Sequence, residues 1–87
     1  MIPNSESADS ARPAPDILDV CGLSCPLPIL KTKRALAALP PGALLQILAT
    51  DPHAPEDLAV FCRQTGHVLL ESGKQAEKFV CLVQRKS

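Results

Sequence analysis

Proline and glycine cut the apolar part of this chain into short blocks. Pro40-Pro41-Gly42, Thr50-Asp51-Pro52 and Gly66 each stand at the end of an apolar run, where such residues stop a helix or turn a strand. No block approaches the length needed to span a membrane. What remains is a set of short elements that can bury their apolar faces only against one another. The 87 residues are enough for one small domain and too few for two. Its core must be modest, because small domains bury a lower fraction of their surface.

The blocks differ in period. Asp16 to Val20 reads as a short strand, and Cys21-Gly22-Leu23-Ser24 as a turn. Cys25-Pro26-Leu27-Pro28 opens a helix, since proline is tolerated in a first turn whose N–H groups have no intrahelical partner. Ile29, Thr32, Leu36 and Leu39 then recur at helical spacing, so the helix is expected to run to about Leu39. Ala43 to Ala49 alternates as a strand, with Leu45, Ile47 and Ala49 on one face. Leu44, Gln46 and Leu48 make the other face, apolar enough to suggest cover by a neighbouring chain. A second helix starts at Pro55-Glu56-Asp57, carries the stripe Leu58, Phe61, Cys62, Thr65, and ends at Gly66. His67 to Glu71 is a third strand, Ser72-Gly73-Lys74-Gln75 a turn, and Glu77 to Arg85 a fourth strand. The order βαβαββ predicts a two-layer α/β (α+β) sandwich, a four-stranded mixed sheet with both helices on one face.

Composition removes several classes of function. The formal net charge is zero, and the chain has two Phe but no Tyr or Trp. It therefore lacks the basic footprint and the stacking platform of a nucleic-acid binder. Residues 1–15 mix Pro, Ser and Ala with Glu6 and Asp9. They form neither a secretory signal nor a transit peptide, and read as a disordered tail ahead of a domain at 16–87. A cytoplasmic location is the resulting expectation, with no membrane attachment. There Cys21, Cys25, Cys62 and Cys81 are expected to be reactive, buried or metal-bound, not disulfide-linked.

Cys25 carries the strongest chemical signal. The proline after it disfavours helical dihedrals, so Cys25 is expected to be the N-cap, its sulfur facing the N–H groups of Leu27 and Ile29. The positive helix end would then lower the thiol pKa and populate the nucleophilic thiolate. Lys31, Lys33 and Arg34 would add positive charge nearby, and they form either an ordinary solvated helix face or, alternatively, a docking site for an acidic partner surface. Such a thiolate needs no general base, and neither His53 nor His67 is close to it in sequence. A sulfur carrier has these requirements: attack as a thiolate, then hold a mostly anionic terminal sulfur at an exposed position.

The run DVCGLSCPLPILKTKRAL resembles the signature of the TusA/SirA family of sulfur carriers. LLQILATDP followed by DLAVFCRQTGHVLLE resembles the family's second strand, Asp-Pro turn and second helix, so the likeness spans about residues 16–85. It implies the same βαβαββ sandwich. It also implies a sulfurtransferase in which Cys25 accepts sulfane sulfur as a persulfide, with Pro26 and Pro28 as the motif prolines and Asp51 in a structural or partner-facing role. The donor would be a cysteine desulfurase or rhodanese, and the acceptor another sulfur-relay protein serving tRNA thiolation, cofactor synthesis or sulfur oxidation. No cofactor is implied, and the protein is expected to be a monomer or weak dimer.

Cys21 departs from the family pattern. It either ends a strand as a small apolar residue or serves as a second thiol that attacks an oxidised or persulfidated Cys25, making the pair a redox switch. A non-catalytic regulatory interaction module is a further alternative. Cys62 and Cys81 fall on apolar faces and are expected in the core. Cys21, Cys25, His53 and His67 lack zinc-type spacing, so no metal site is expected.

Overall fold

Two parallel strands set the position of everything that follows. In the computed structural model, which describes residues 15–87, β1 (Asp16–Asp19) lies parallel to β2 (Leu44–Ala49), with Asp16 opposite Leu45 and Asp19 opposite Leu48. Helix α1 (Leu27–Ala37) makes the crossover that a parallel pair requires. Helix α2 (Ala54–Thr65) then leads from β2 into the hairpin of β3 (Val68–Gln75) and β4 (Lys78–Gln84). The sheet order is β1-β2-β4-β3, with β4 antiparallel to both neighbours. This is the mixed four-stranded sheet with two helices that the element order predicts. The expected tail at residues 1–15 lies, except for Pro15, outside the described residues.

The core is the alternation of β2 and β4 closed by the helical stripes. Leu45, Ile47 and Ala49 face Val83, Cys81 and Phe79 across the ladder. All but the half-buried Phe79 are buried. Against them pack Leu36 and Thr32 of α1 and Leu58 and Cys62 of α2, with Val20 just past β1. Thr32 is the buried polar side chain here, and its hydroxyl donates to the Pro28 carbonyl at 2.7 Å. That bond removes the cost of burying an unpaired hydroxyl. On the opposite face of the sheet, Leu44, Leu48, Val80 and Leu82 are half-buried, and Ile17 on the β1 edge is 66% exposed.

The helix ends show which local signals governed. Helix α1 stops at Ala37, two residues short of the expected end, and its last turn closes through Ala38 and Leu39 N–H groups donating to Ala35 and Leu36. Arg85 reaches from beyond β4 to donate its Nε–H to the Leu36 carbonyl at 2.8 Å, so a cation from elsewhere in the chain serves this helix C-terminus. Helix α2 ends as predicted: Gly66 has φ 92° and donates its N–H to Cys62.

The hairpin differs from expectation. Ser72-Gly73-Lys74-Gln75 is not the turn. β3 continues through it, paired with β4 out to Gln75 opposite Lys78. The chain reverses over Ala76 and Glu77 alone, with Ala76 at φ 55°. A two-residue hairpin turn needs such a positive φ, which Gly or Asn usually supplies. Here the long ladder of β4 determines where the turn falls, overriding the turn-forming composition of residues 72–75. A register shift between Leu69 and Glu71 sets the extra residue, Leu70, into β3.

Candidate functional site

The loops that follow β1 and β2 leave the same end of the sheet, because the strands are adjacent and parallel. They are joined there by side chains. The Gly22 N–H donates to the Thr50 hydroxyl at 2.8 Å, and the Cys25 N–H donates to Asp51 Oδ2 at 2.8 Å. The other carboxylate oxygen, Oδ1, accepts the His53 N–H at 3.0 Å and lies 3.4 Å from His53 Nδ1. Asp51 thus fixes the backbone of the cysteine loop to the start of α2. Its side chain is only 8% exposed. Hydrogen bonds from the backbone N–H groups of His53 and then Cys25 hold its carboxyl below the usual carboxylate range, against an opposing contribution from desolvation.

Cys25 itself is exposed and its thiol is free. It is not the cap of α1. The Leu27 N–H is taken by the Ser24 carbonyl at 2.9 Å, which closes a turn over Cys25 and Pro26. The first helical bond runs from Leu30 N–H to the Pro26 carbonyl, so Pro26 occupies the cap and Cys25 precedes it. The Cys25–Pro26 peptide is cis. Pro28, inside the first turn, is buried against the core, whereas Pro26 is exposed. The expected contact between the sulfur and the Leu27 N–H is therefore not made.

The electrostatic expectation is reversed as well. Partial desolvation, and then the carboxylates of Asp57 and Asp51, raise the Cys25 thiol above the ordinary cysteine pKa. The groups acting on this sulfur are carboxylates, not the cations of α1. Lys31, Lys33 and Arg34 are exposed further along the helix. Lys31 and Arg34 border an apolar groove with Leu18, Leu27, Leu30 and Ala35, and Lys33 stands outside it. Leu27 and Leu30 are 43% and 54% exposed in that groove.

Cys21 is half-buried and faces a different carboxylate. A hydrogen bond to Asp19 is the largest cause of its raised pKa, and the Cys21 N–H also donates to Asp19 Oδ1 at 3.0 Å. Cys62 and Cys81 are buried free thiols, as their positions on apolar faces predict, and burial raises Cys62. Among the described residues, no three or more His, Cys, Asp and Glu side chains gather where they could hold a metal ion.

Asp57 is the residue of the site that pattern reasoning missed. In sequence it is one of two acids in the first turn of a helix, a placement the helix dipole already explains. Its relation to Cys25 depends on which strands are neighbours.

A chain with this fold and this loop can be placed among known proteins. The family model described as Sulfurtransferase TusA matches residues 16–85. The chain belongs to the TusA family. Among its relatives is a protein of Neisseria meningitidis serogroup B that bears a sulfur-carrier name. It is 55% identical over 71 residues, covering 82% of this chain and 96% of the relative. Sulfur carrier protein TusA of Allochromatium vinosum is 44% identical over 68 residues, covering 78% and 90%. In three dimensions the chain resembles the SirA-like protein of Desulfitobacterium hafniense, with a TM-score of 0.72 at 22% identity. That match covers 82% of this chain and 97% of the other, and it bears on the fold alone. No described helix is long and apolar enough to cross a membrane.

Proposed function

We propose that the protein is a sulfur carrier in which Cys25 accepts sulfane sulfur from a donor protein and passes it to a second protein. The observation that carries this reading is the placing of Cys25: an exposed free thiol on a loop tied down at its own N–H by Asp51. An enzyme that works on a small substrate surrounds it. A carrier must present its cargo to two different proteins, so exposure combined with a fixed backbone suits the task. Family membership and the names of the relatives support the same reading.

The transfer needs no oxidant or cofactor. The donor's terminal S–S bond breaks, a new S–S bond forms to the Cys25 sulfur, and the donor leaves as a thiol with the proton that Cys25 gave up. The reverse exchange at an acceptor thiol empties the carrier. Incubation with polysulfide, or with a desulfurase and cysteine, is expected to add one sulfur atom to the peptide containing Cys25, reversibly by reductant. Peptide mass spectrometry showing sulfur only elsewhere, or none, would overturn the reading.

The groove beside Cys25 is the proposed docking face. Leu18, Leu27 and Leu30 supply its apolar floor, and Lys31 and Arg34 its positive border, which fits a donor surface of acidic and apolar side chains. A Lys31→Glu, Arg34→Glu double variant is expected to load several-fold more slowly from a protein donor and at the parent rate from polysulfide. Equal rates from both donors would place docking elsewhere.

A redox pair of Cys21 and Cys25 fits less well. Cys21 is half-buried with its backbone N–H held by Asp19, whereas Cys25 is exposed on the loop held by Asp51, and both thiols are free.

A further inference from the structure

The outer edge of β1 is open. β1 ends the sheet order β1-β2-β4-β3, so among the described residues no strand lies on its other side. The Val20 N–H donates to the Leu48 carbonyl at 2.8 Å, which turns Val20 toward β2. Backbone groups alternate along a strand, so those of Leu18 also face β2, and the N–H and C=O groups of Ile17 and Asp19 point outward. An open edge of this kind is a template for another strand.

The flank of that edge is apolar and carries opposite charges at its two ends. Ile17, Leu27 and Leu30 are all large exposed apolar side chains, and all three lie here. Two concavities run between β1 and α1 and share Leu18 and Ala35. The one nearer the Cys25 loop holds Leu27 and Leu30, with Lys31 and Arg34 at its border. The other reaches past the end of α1 to Ala38 and Leu39, and there the charged residue is Asp16. The groove is therefore positive at one end and negative at the other.

This pattern complements itself when a second β1 runs the opposite way. Antiparallel pairing about a two-fold axis carries Asp16 of the copy to the Lys31 and Arg34 end, and the first Asp16 to the same end of the copy. With the axis at Leu18, Ile17 stands opposite Asp19 of the copy, and each such pair exchanges both of its outward N–H and C=O groups. Leu18 then meets Leu18 of the copy on the helix side of the sheet. No acidic side chain stands directly opposite another, an arrangement that would oppose pairing.

We infer that the β1–α1 edge is a self-association surface: two copies of this chain pair antiparallel through β1 and close their α1 grooves together, with Asp16 of each copy set against Lys31 and Arg34 of the other. One surface supplies both halves of the charge pattern, as an isologous interface requires, and this selects a second copy over an unrelated segment. A strand of four residues and one groove make a small interface, so the dissociation constant is expected at about 10–500 µM. The groove assigned above to the donor is the one the dimer closes, so a chain docks to a protein donor only after the pair separates.

The test is sedimentation velocity of the full chain under reducing conditions, from about 5 µM to 1 mM, which brackets that range. The parent is expected to move from the mass of one chain toward that of two as concentration rises. Asp16→Lys alone, and Lys31→Glu with Arg34→Glu, are each expected to weaken association by about 10-fold or more. The three substitutions together exchange the signs of both ends and are expected to bring association back to within about 3-fold of the parent. Ile17→Pro removes one outward N–H, a change that an edge strand tolerates, and is expected to weaken association as well. A parent that stays at the mass of one chain at the highest concentration would overturn the inference. So would association that the charge reversals or Ile17→Pro leave intact, or that the triple variant fails to restore. Sulfur loading is not read in this experiment, so these outcomes are separate from the carrier reading.

Discussion

Cys25→Ser is expected to fold as the parent does and to carry no sulfur. The side chain is exposed, and its removal leaves neither a cavity nor an unpaired buried group. What holds the loop is the Cys25 N–H bond to Asp51, which a serine keeps. The local geometry should therefore survive. The chemistry should not, because a hydroxyl neither attacks a persulfide at neutral pH nor forms a stable bond to its sulfur. Loading with polysulfide should fall to background in the Cys25 peptide while the thermal midpoint stays near that of the parent. Full loading of a folded Cys25→Ser protein would move the acceptor to Cys21, whose half-buried thiol is the nearest in sequence. A Cys21→Ser variant that loads normally completes the comparison.

Most of the fold could be read from the sequence because it depends on periods and breaks. Thr32 and Leu36 are buried where the α1 stripe places them, and Leu58 and Cys62 where the α2 stripe does. Gly66 ends α2 in the left-handed conformation that its position predicts. The errors lie where a long-range partner overrode a local preference. Ser72 to Gln75 has the composition of a turn, yet β4 offers it a ladder, and the reversal moved to Ala76 and Glu77. Helix α1 starts one residue late because the Ser24 carbonyl takes the Leu27 N–H, forming a turn that no helix-start rule includes.

The site was legible in part. Cys25 stood out through the two prolines after it, and Asp51 through the Asp-Pro turn. That these two meet follows from the parallel pairing of β1 and β2, which a list of elements does not specify. The helix-dipole argument for a lowered thiol pKa failed for a related reason. It considered the charges of the cysteine's own helix, whereas Asp57 and Asp51 arrive from the next crossover. Charge near a loop is set by the elements folded against it, so a sign inferred from sequence neighbours alone is insecure.

Leu58→Ala is the substitution expected to cost the most stability. Leu58 has no exposed surface and lies in the same buried cluster as Ile47, Cys81 and Val83 of the sheet. Truncating a fully buried leucine removes its transfer free energy and leaves a cavity, together about 2–5 kcal/mol. A small domain holds only about 5 kcal/mol or somewhat more in total. With a urea slope of about 1 kcal/mol per molar, the unfolding midpoint should drop by about 2 M or more, with the slope unchanged. Leu58→Met, which nearly keeps the volume, should cost less than about 1.5 kcal/mol. The position also tests how far the site depends on the core, since Leu58 follows Asp57 directly on α2. Loading of Leu58→Met per folded molecule should match the parent. A midpoint for Leu58→Ala within about 0.5 M of the parent's would mean that α2 can collapse onto the sheet without its central leucine, and that the core at this end is looser than its burial implies.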